Sequence, residues 1–239
     1  MKEMWDKKAA NYPRFTGEPS VFHRGLYAKI AEFGVKFEGK SVVDIGCGTG
    51  VHTLFLAQIC REITGMDISG EMLKVMVEDA AKFNISNLTA VQSDFKNFNP
   101  NRVYDVAFST MSPAIADEED FVKFINLGKK RVYLWWNKPR YSSVLELFYE
   151  GSEKRCFKEK ANFFEEYLRR ENIAFNSCVL EEFREQKRTL EEMTQNALWH
   201  LQIANFTYDE NAVRSRLESI AQDGYVTEKI VSSMKLLVF

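Results

Sequence analysis

Val42-Val43-Asp44-Ile45-Gly46-Cys47-Gly48-Thr49-Gly50 is the stretch on which the reading of the chain turns. The apolar run from Ser41 to Ile45 has the length of a buried strand and carries one carboxylate near its end. It breaks into three glycines spaced two apart, and a helix-like apolar run, Val51 to Ile59, follows at once. Glycine lets the backbone turn tightly and lets a ligand approach the main chain, while the free N–H groups at the start of the next helix face the same space. The stretch therefore predicts a strand-loop-helix cradle.

Two ligand classes use such a cradle. A dinucleotide site needs G-x-G-x-x-G, with its third glycine packing the helix on the strand. Here the third glycine falls one place early and the sixth position is Val51. Asp44, two residues before the first glycine, would add negative charge where a pyrophosphate must sit. A cationic ligand without phosphates suits that carboxylate.

With these residues the chain resembles the class I (Rossmann-like) S-adenosylmethionine-dependent methyltransferases, whose first motif reads much like Val-Asp-Ile-Gly-Cys-Gly-Thr-Gly. The resemblance implies that Gly46, Cys47, Gly48 and Gly50 line the cofactor S-adenosyl-L-methionine and that Asp44 supports the amino end of its methionine part. A dinucleotide enzyme and a glycine loop without a ligand are the other readings of the motif. The resemblance also implies a lid: Trp5-Asp6-Lys7-Lys8-Ala9-Ala10-Asn11-Tyr12 is similar to an N-terminal segment that folds over the cofactor, with Tyr12 near the methionine end. Stapling of an N-terminal helix to the domain would explain the same aromatic residues.

Glu62 to Ile68 is a short strand closing on an acid. Asp67 lies 21 residues beyond Gly46, close to the roughly 20 expected of a carboxylate that takes a ribose hydroxyl pair. Ser69 then caps a helix through Met72, Leu73, Met76, Val77, Ala80 and Phe83, which leaves Asp67, followed by Ile68, for the ligand. A third strand, Leu88 to Phe95, ends again in acid plus aromatic. By resemblance Asp94 bonds the adenine amino group and Phe95 packs beside the ring; a loop aspartate and a core phenylalanine would look the same. Tyr104 to Thr110 is a fourth strand, with Ser109 near its end on the cofactor side, and the loop Met111-Ser112-Pro113-Ala114-Ile115 leaves it toward the transferable methyl. Adenine-N6 and glutamine methyltransferases often place Asp/Asn-Pro-Pro-Tyr at that loop; Thr-Met-Ser-Pro-Ala stands here instead.

Further along, the spacing predicts a helix from Asp117 stopped at Gly128, a strand over Arg131 to Asn137, two helical stretches between Tyr141 and Glu171 (the second from Phe157), and a strand over Asn176 to Arg184. Thr189-Leu190-Glu191-Glu192 is a capping box for a helix to Leu201. Another helix runs from Asp209 to Gln222, and the last strand is Ser232 to Phe239. Strand and helix alternate strictly through residue 136, which calls for a parallel sheet with helices on both faces. The expected fold is α/β: a Rossmann-like, doubly wound, seven-stranded sheet, mostly parallel, with an antiparallel last strand. The expected organisation is one domain over residues 1–239, with a helical lid over 1–40 and a helical insertion over 187–230. Met111 and His200 are the candidate substrate contacts, with Trp199 and Phe206-Thr207-Tyr208 as further wall.

The 239 residues are 45% hydrophobic and 13% aromatic, which suits a globular core, and a net charge of −2 gives no general attraction to nucleic acid or anionic membrane. Cys47, Cys60, Cys156 and Cys178 form no C-x-x-C and no metal-ligand spacing, so neither metal nor disulfide framework is expected. No apolar run reaches the length of a membrane span and the first residues lack a signal peptide's apolar stretch, so a cytoplasmic protein is expected. The resemblance implies in-line methyl transfer, and the acidic balance and possible lids favour a small-molecule acceptor, with an RNA or protein methyltransferase and a non-catalytic cofactor-binding regulatory subunit as rivals. A sulfonium donor is already activated, so no catalytic base is assigned. Lys129, Lys130, Arg131, Lys138 and Arg140 form the one cluster that could serve an RNA-binding stripe.

Overall fold

The computed structural model describes residues 2–149, 159–204 and 206–239. In chain order the helices are α1 (Lys2–Lys8), α2 (Val21–Glu32), α3 (Val51–Ala57), α4 (Gly70–Lys82), α5 (Glu118–Leu127), α6 (Glu146–Tyr149), α7 (Lys160–Arg170), α8 (Leu190–Ile203) and α9 (Glu210–Glu218). The strands are β1 (Ser41–Ile45), β2 (Glu62–Asp67), β3 (Leu88–Gln92), β4 (Tyr104–Thr110), β5 (Gly128–Trp136), β6 (Tyr141–Ser142), β7 (Asn176–Thr189) and β8 (Tyr225–Val238). They hydrogen-bond in the order β3-β2-β1-β4-β5-β8-β6, and β7 pairs with β8.

The first five strands are parallel. The chain lays β2 and β3 on one side of β1, then returns to place β4 on the other, with Val43 beside Ala107. The switch point of the topology thus falls between the C-terminal ends of β1 and β4, where ligands sit in such sheets. The return strand β8 is antiparallel to β5: the backbones of Arg131 and Phe239 donate to each other at 2.7 and 3.1 Å. Among the described residues the sheet has eight strands where seven were expected, the extra one being the two-residue β6.

Two compact units divide the chain: Met1–Trp135 with Lys160–Cys178 and Lys235–Phe239, and Trp136–Glu159 with Val179–Met234. The first unit is centred on Val43, Ile45, Ala107, Phe121, Phe124, Tyr133, Phe164 and Leu237, all buried. The second packs Val144, Met193, Ala197, Leu201, Leu217 and Val226. The stretch 187–230 expected as an insertion lies in the second unit, which also takes Trp136–Glu159.

Local sequence explains the helix starts. Ser20, Ser69 and Asp117 accept from His23, Met72 and Asp120 N–H groups, and the Thr189–Glu192 capping box closes in both directions. The Asp120 side chain in turn accepts from the Ala116 N–H, one residue ahead of the cap, at 2.9 Å. α5 stops at Gly128, its C-cap, as expected, though in extended backbone with φ of −140°. This residue is glycine because a Cβ there would lie 2.5 Å from the Ala107 nitrogen, and β5 begins at that residue. The helix expected over Val144 to Phe148 begins later, at Glu146, as α6, and Phe157, the expected start of the next, falls outside the described residues.

Candidate functional site

The glycine loop closes as its spacing requires. Gly46, Gly48 and Gly50 have φ of 70°, 56° and 79°, a region that penalises any Cβ. The N–H groups of Gly46 and Cys47 both donate to Met66 O, at 2.7 and 3.0 Å, carrying the β1–β2 ladder into the bend. At Gly46 a Cβ would stand 1.7 Å from Ser112 Oγ, and at Gly50 one would stand 2.3 Å from Met76 Cγ. These two glycines are therefore fixed by neighbours as well as by φ. Gly48 differs: its nearest atom would be Tyr12 Cε1 at 4.0 Å, so its outer face looks across a gap at the tyrosine ring.

Two carboxylates flank this bend. Asp44 is 2% exposed and accepts from Thr53 Oγ1 on α3 at 2.6 Å. Burial pushes its pKa up to about 7, helped by the charge of Asp67 and opposed by the Thr53 hydroxyl. Asp67 is 9% exposed and accepts two backbone amides, Gly48 on Oδ2 and Ser69 on Oδ1, each at 2.8 Å. Its pKa is also raised by burial, against the pull of those amides. Two acids raised together by desolvation call for a cation or for hydroxyl donors.

Residues 6 to 15 cover the same edge of the first unit. Asp6 accepts from Ser69 Oγ at 2.6 Å, and Thr49 Oγ1 donates to Pro13 O at 2.5 Å. Arg14 grips the buried carboxylate of Asp79 on α4 with its Nε and a terminal nitrogen, 2.7 to 3.1 Å. Tyr12 meets Trp5 edge-on at 6.1 Å.

The other expected residues scatter more. Cys47 is half-buried beside Gly65 and its thiol is pushed well up by burial. Ile68 is half-buried directly after Asp67. Asp94 spends both carboxylate oxygens on Asn97, from its backbone N–H at 2.8 Å and its side chain at 2.7 Å, which lowers its pKa. Phe95 is 4% exposed within the main core, with Lys123 over its ring. Ser109 is buried and ties β4 to β1 by donating to Ile45 O at 3.0 Å. Met111 has φ of 52° and donates to Leu134 O at 2.8 Å, a left-handed backbone of the kind that collects at functional loops. His200 lies in the second unit on α8, its ring 4.8 Å edge-on from Trp199.

Sequence reasoning missed Thr53, Ser112 and Asp6, each of which acts through a partner remote in the chain. No group of His, Cys, Asp and Glu among the described residues could hold a metal. No helix among them is long and apolar enough to cross a membrane.

The bend and its acids fit S-adenosylmethionine: the glycines leave the backbone open beside Gly48, Asp67 offers two oxygens at a strand tip, and Asp44 is a buried acid whose charge a cation would stabilise. Residues 42–128 match the family described as Methyltransferase domain. An uncharacterised protein of Haemophilus influenzae is 30% identical over 54% of this chain and 48% of its own length. Pavine N-methyltransferase of Thalictrum flavum is 30% identical over 38% of this chain and 26% of its own. Ribosomal RNA small subunit methyltransferase A of Mesomycoplasma hyopneumoniae is 25% identical over 61% and 64%. The chain thus spans about half, or less, of the length of the first two. Among solved structures, the YcgJ protein of Bacillus subtilis superposes with a TM-score of 0.53 at 13% identity, over 90% of this chain and 98% of that one. That likeness establishes the fold.

Proposed function

We propose that this chain is a class I (Rossmann-like) S-adenosylmethionine-dependent methyltransferase, a reading supported by the match of residues 42–128 to a methyltransferase domain, and that it transfers a methyl group to a small-molecule acceptor. The observation that carries the reading is the pair of buried acids, Asp44 and Asp67, at the ends of adjacent parallel strands and on either side of a left-handed glycine loop. S-adenosylmethionine supplies a methyl already activated on a sulfonium sulfur, ready for in-line displacement by an acceptor's lone pair. The protein's contribution is placement. Asp67 takes the ribose hydroxyls while keeping its two backbone amides, Asp44 draws the cationic end, and Tyr12 covers Gly48. Met111 and its loop stand at the switch point and face the methyl. Holding donor and acceptor in line in a dry site can supply roughly 7 to 11 kcal/mol of the barrier, so the site needs no base of its own.

A small acceptor is favoured by the net charge of −2 and by the fate of the basic cluster. Lys129 pairs with Asp105 at 3.1 Å, Arg131 donates to Ile125 O at 2.8 Å, and Arg140 faces Glu228 at 3.6 Å. Cations committed to partners make a poor phosphate stripe. The name of the Thalictrum relative points the same way. The ribosomal RNA relative supports a nucleic-acid acceptor instead. Incubation with methyl-labelled S-adenosylmethionine and either a small-metabolite extract or total RNA separates the two: label is expected in the small-molecule fraction, and label confined to RNA would overturn the proposal.

The raised pKa of Asp44 gives this reading a pH signature. Only the ionised acid attracts a cation, so cofactor affinity is expected to rise about tenfold per pH unit up to about 7 and then level off. The free protein behaves oppositely: with the folded pKa above the unfolded value, stability is lost as pH climbs from about 4 to 7. Calorimetry across pH 5.5 to 8.5 checks the slope, which Asp44→Asn should flatten; an equal slope in that variant would remove Asp44 from the account.

A further inference from the structure

Lys160, the first residue of α7, is a lysine in a place that disfavours one. It is 9% exposed, so its ammonium has surrendered most of its hydration. It also sits at the positive end of a helix, where the dipole opposes a cation. An apolar side chain of similar length would fill the same volume without either penalty. Among its contacts, Nζ donates to Pro113 O at 3.2 Å and to Ile115 O at 3.4 Å, and it lies 4.9 Å from the centre of the Trp135 ring.

Both carbonyls belong to the loop that leaves β4. That loop holds the left-handed Met111, and its Ser112 is buried against Gly46 so closely that a Cβ on the glycine would overlap it. The helix carrying Lys160 is itself fixed. Phe164 stacks on Phe121 at 4.1 Å and 4°, Arg169 and Lys235 both pair with the buried Glu165, and Lys235 donates to Asn162 at 2.6 Å. A rigid post therefore reaches across to a strained loop and satisfies two of its carbonyls.

We propose that Lys160 is a positioning residue: its ammonium holds the loop from Met111 to Ile115 so that Ser112 stays seated against Gly46 and Met111 keeps its left-handed backbone. The anchoring stands on geometry alone; its consequence for the acceptor rests on the methyl-transfer reading above. Charge is the essential property, since volume could be supplied otherwise.

The test compares Lys160→Met, Lys160→Arg and Lys160→Gln by hydrogen exchange of the segment 109–116 and by calorimetry with S-adenosylmethionine. The amides of Met111 and Ala114, bonded to Leu134 O and Ser112 Oγ, report on the loop. Lys160→Met should speed their exchange about tenfold and weaken cofactor binding by a similar factor, with Lys160→Arg close to wild type. Should Lys160→Met fail to fold, Lys160→Gln, which keeps one donor, should show the same loosening to a smaller degree. Wild-type exchange rates in the methionine or glutamine variant would overturn the proposal. Absence of cofactor binding to the wild-type protein would instead sink the methyl-transfer reading, while the exchange rates still decide on Lys160.

Discussion

Gly46→Ala is expected to cost about 2 to 5 kcal/mol of stability, from about 1 to 2 kcal/mol for a left-handed alanine and about 1 to 3 kcal/mol for forcing a methyl into an occupied space. The φ of 70° supplies the first part and Ser112 Oγ, 1.7 Å from the position the methyl must take, supplies the second. Thermal unfolding should show a midpoint lower by about 5 °C or more, and cofactor binding should weaken because the bend cannot keep its shape. The two contributions can be separated. Adding Ser112→Gly removes the steric overlap and leaves the φ penalty, so the double variant should recover part of the loss, a coupling that a double-mutant cycle measures. If Gly46→Ala melts and binds like the wild type, the bend described for residues 46 to 50 is wrong.

The second large effect is on binding. Asp67→Ala removes an acceptor shared by Gly48 and Ser69 as well as the proposed partner of the ribose hydroxyls. Losing charge-assisted bonds of this kind costs about 1.5 to 3 kcal/mol, or about 10- to 150-fold in the dissociation constant for S-adenosylmethionine. Asp67→Asn should fall between, since it keeps an oxygen acceptor and gives up the charge. Calorimetry returning a wild-type constant for the alanine variant would show that Asp67 does nothing but tie the loop together.

The parts of this arrangement that were legible in the sequence are those written in short range. Ser41 to Ile45 and Glu62 to Ile68 read as strands because apolar runs end in acids and turn residues; the first has those bounds and the second ends one residue earlier, at Asp67. The caps at Ser69 and Thr189 announce themselves within three residues of their helices. Asp67 ends β2 beside the glycine loop. What the sequence hid is contact across distance. Thr53 reaches Asp44 because α3 doubles back over β1; Ser112 meets Gly46 only because β4 lies beside β1; Lys160 reaches Pro113 from 47 residues away. Asp94 and Phe95 illustrate the converse. An acid followed by an aromatic at a strand end predicts a purine site and a packed turn equally well, and the side chains here are committed to Asn97 and to the core.

The long strand β7 carries a consequence for how the protein behaves in concentrated solution. Its described pairing is with β8, and along its exposed row Val179 and Phe183 alternate with Glu181, Glu185 and Lys187. A foreign strand seeking to extend the sheet there would strip water from three ionic groups to reach two apolar ones. Among the described residues β7 thus sets charges between its apolar side chains, a composition that discourages fibrillar growth.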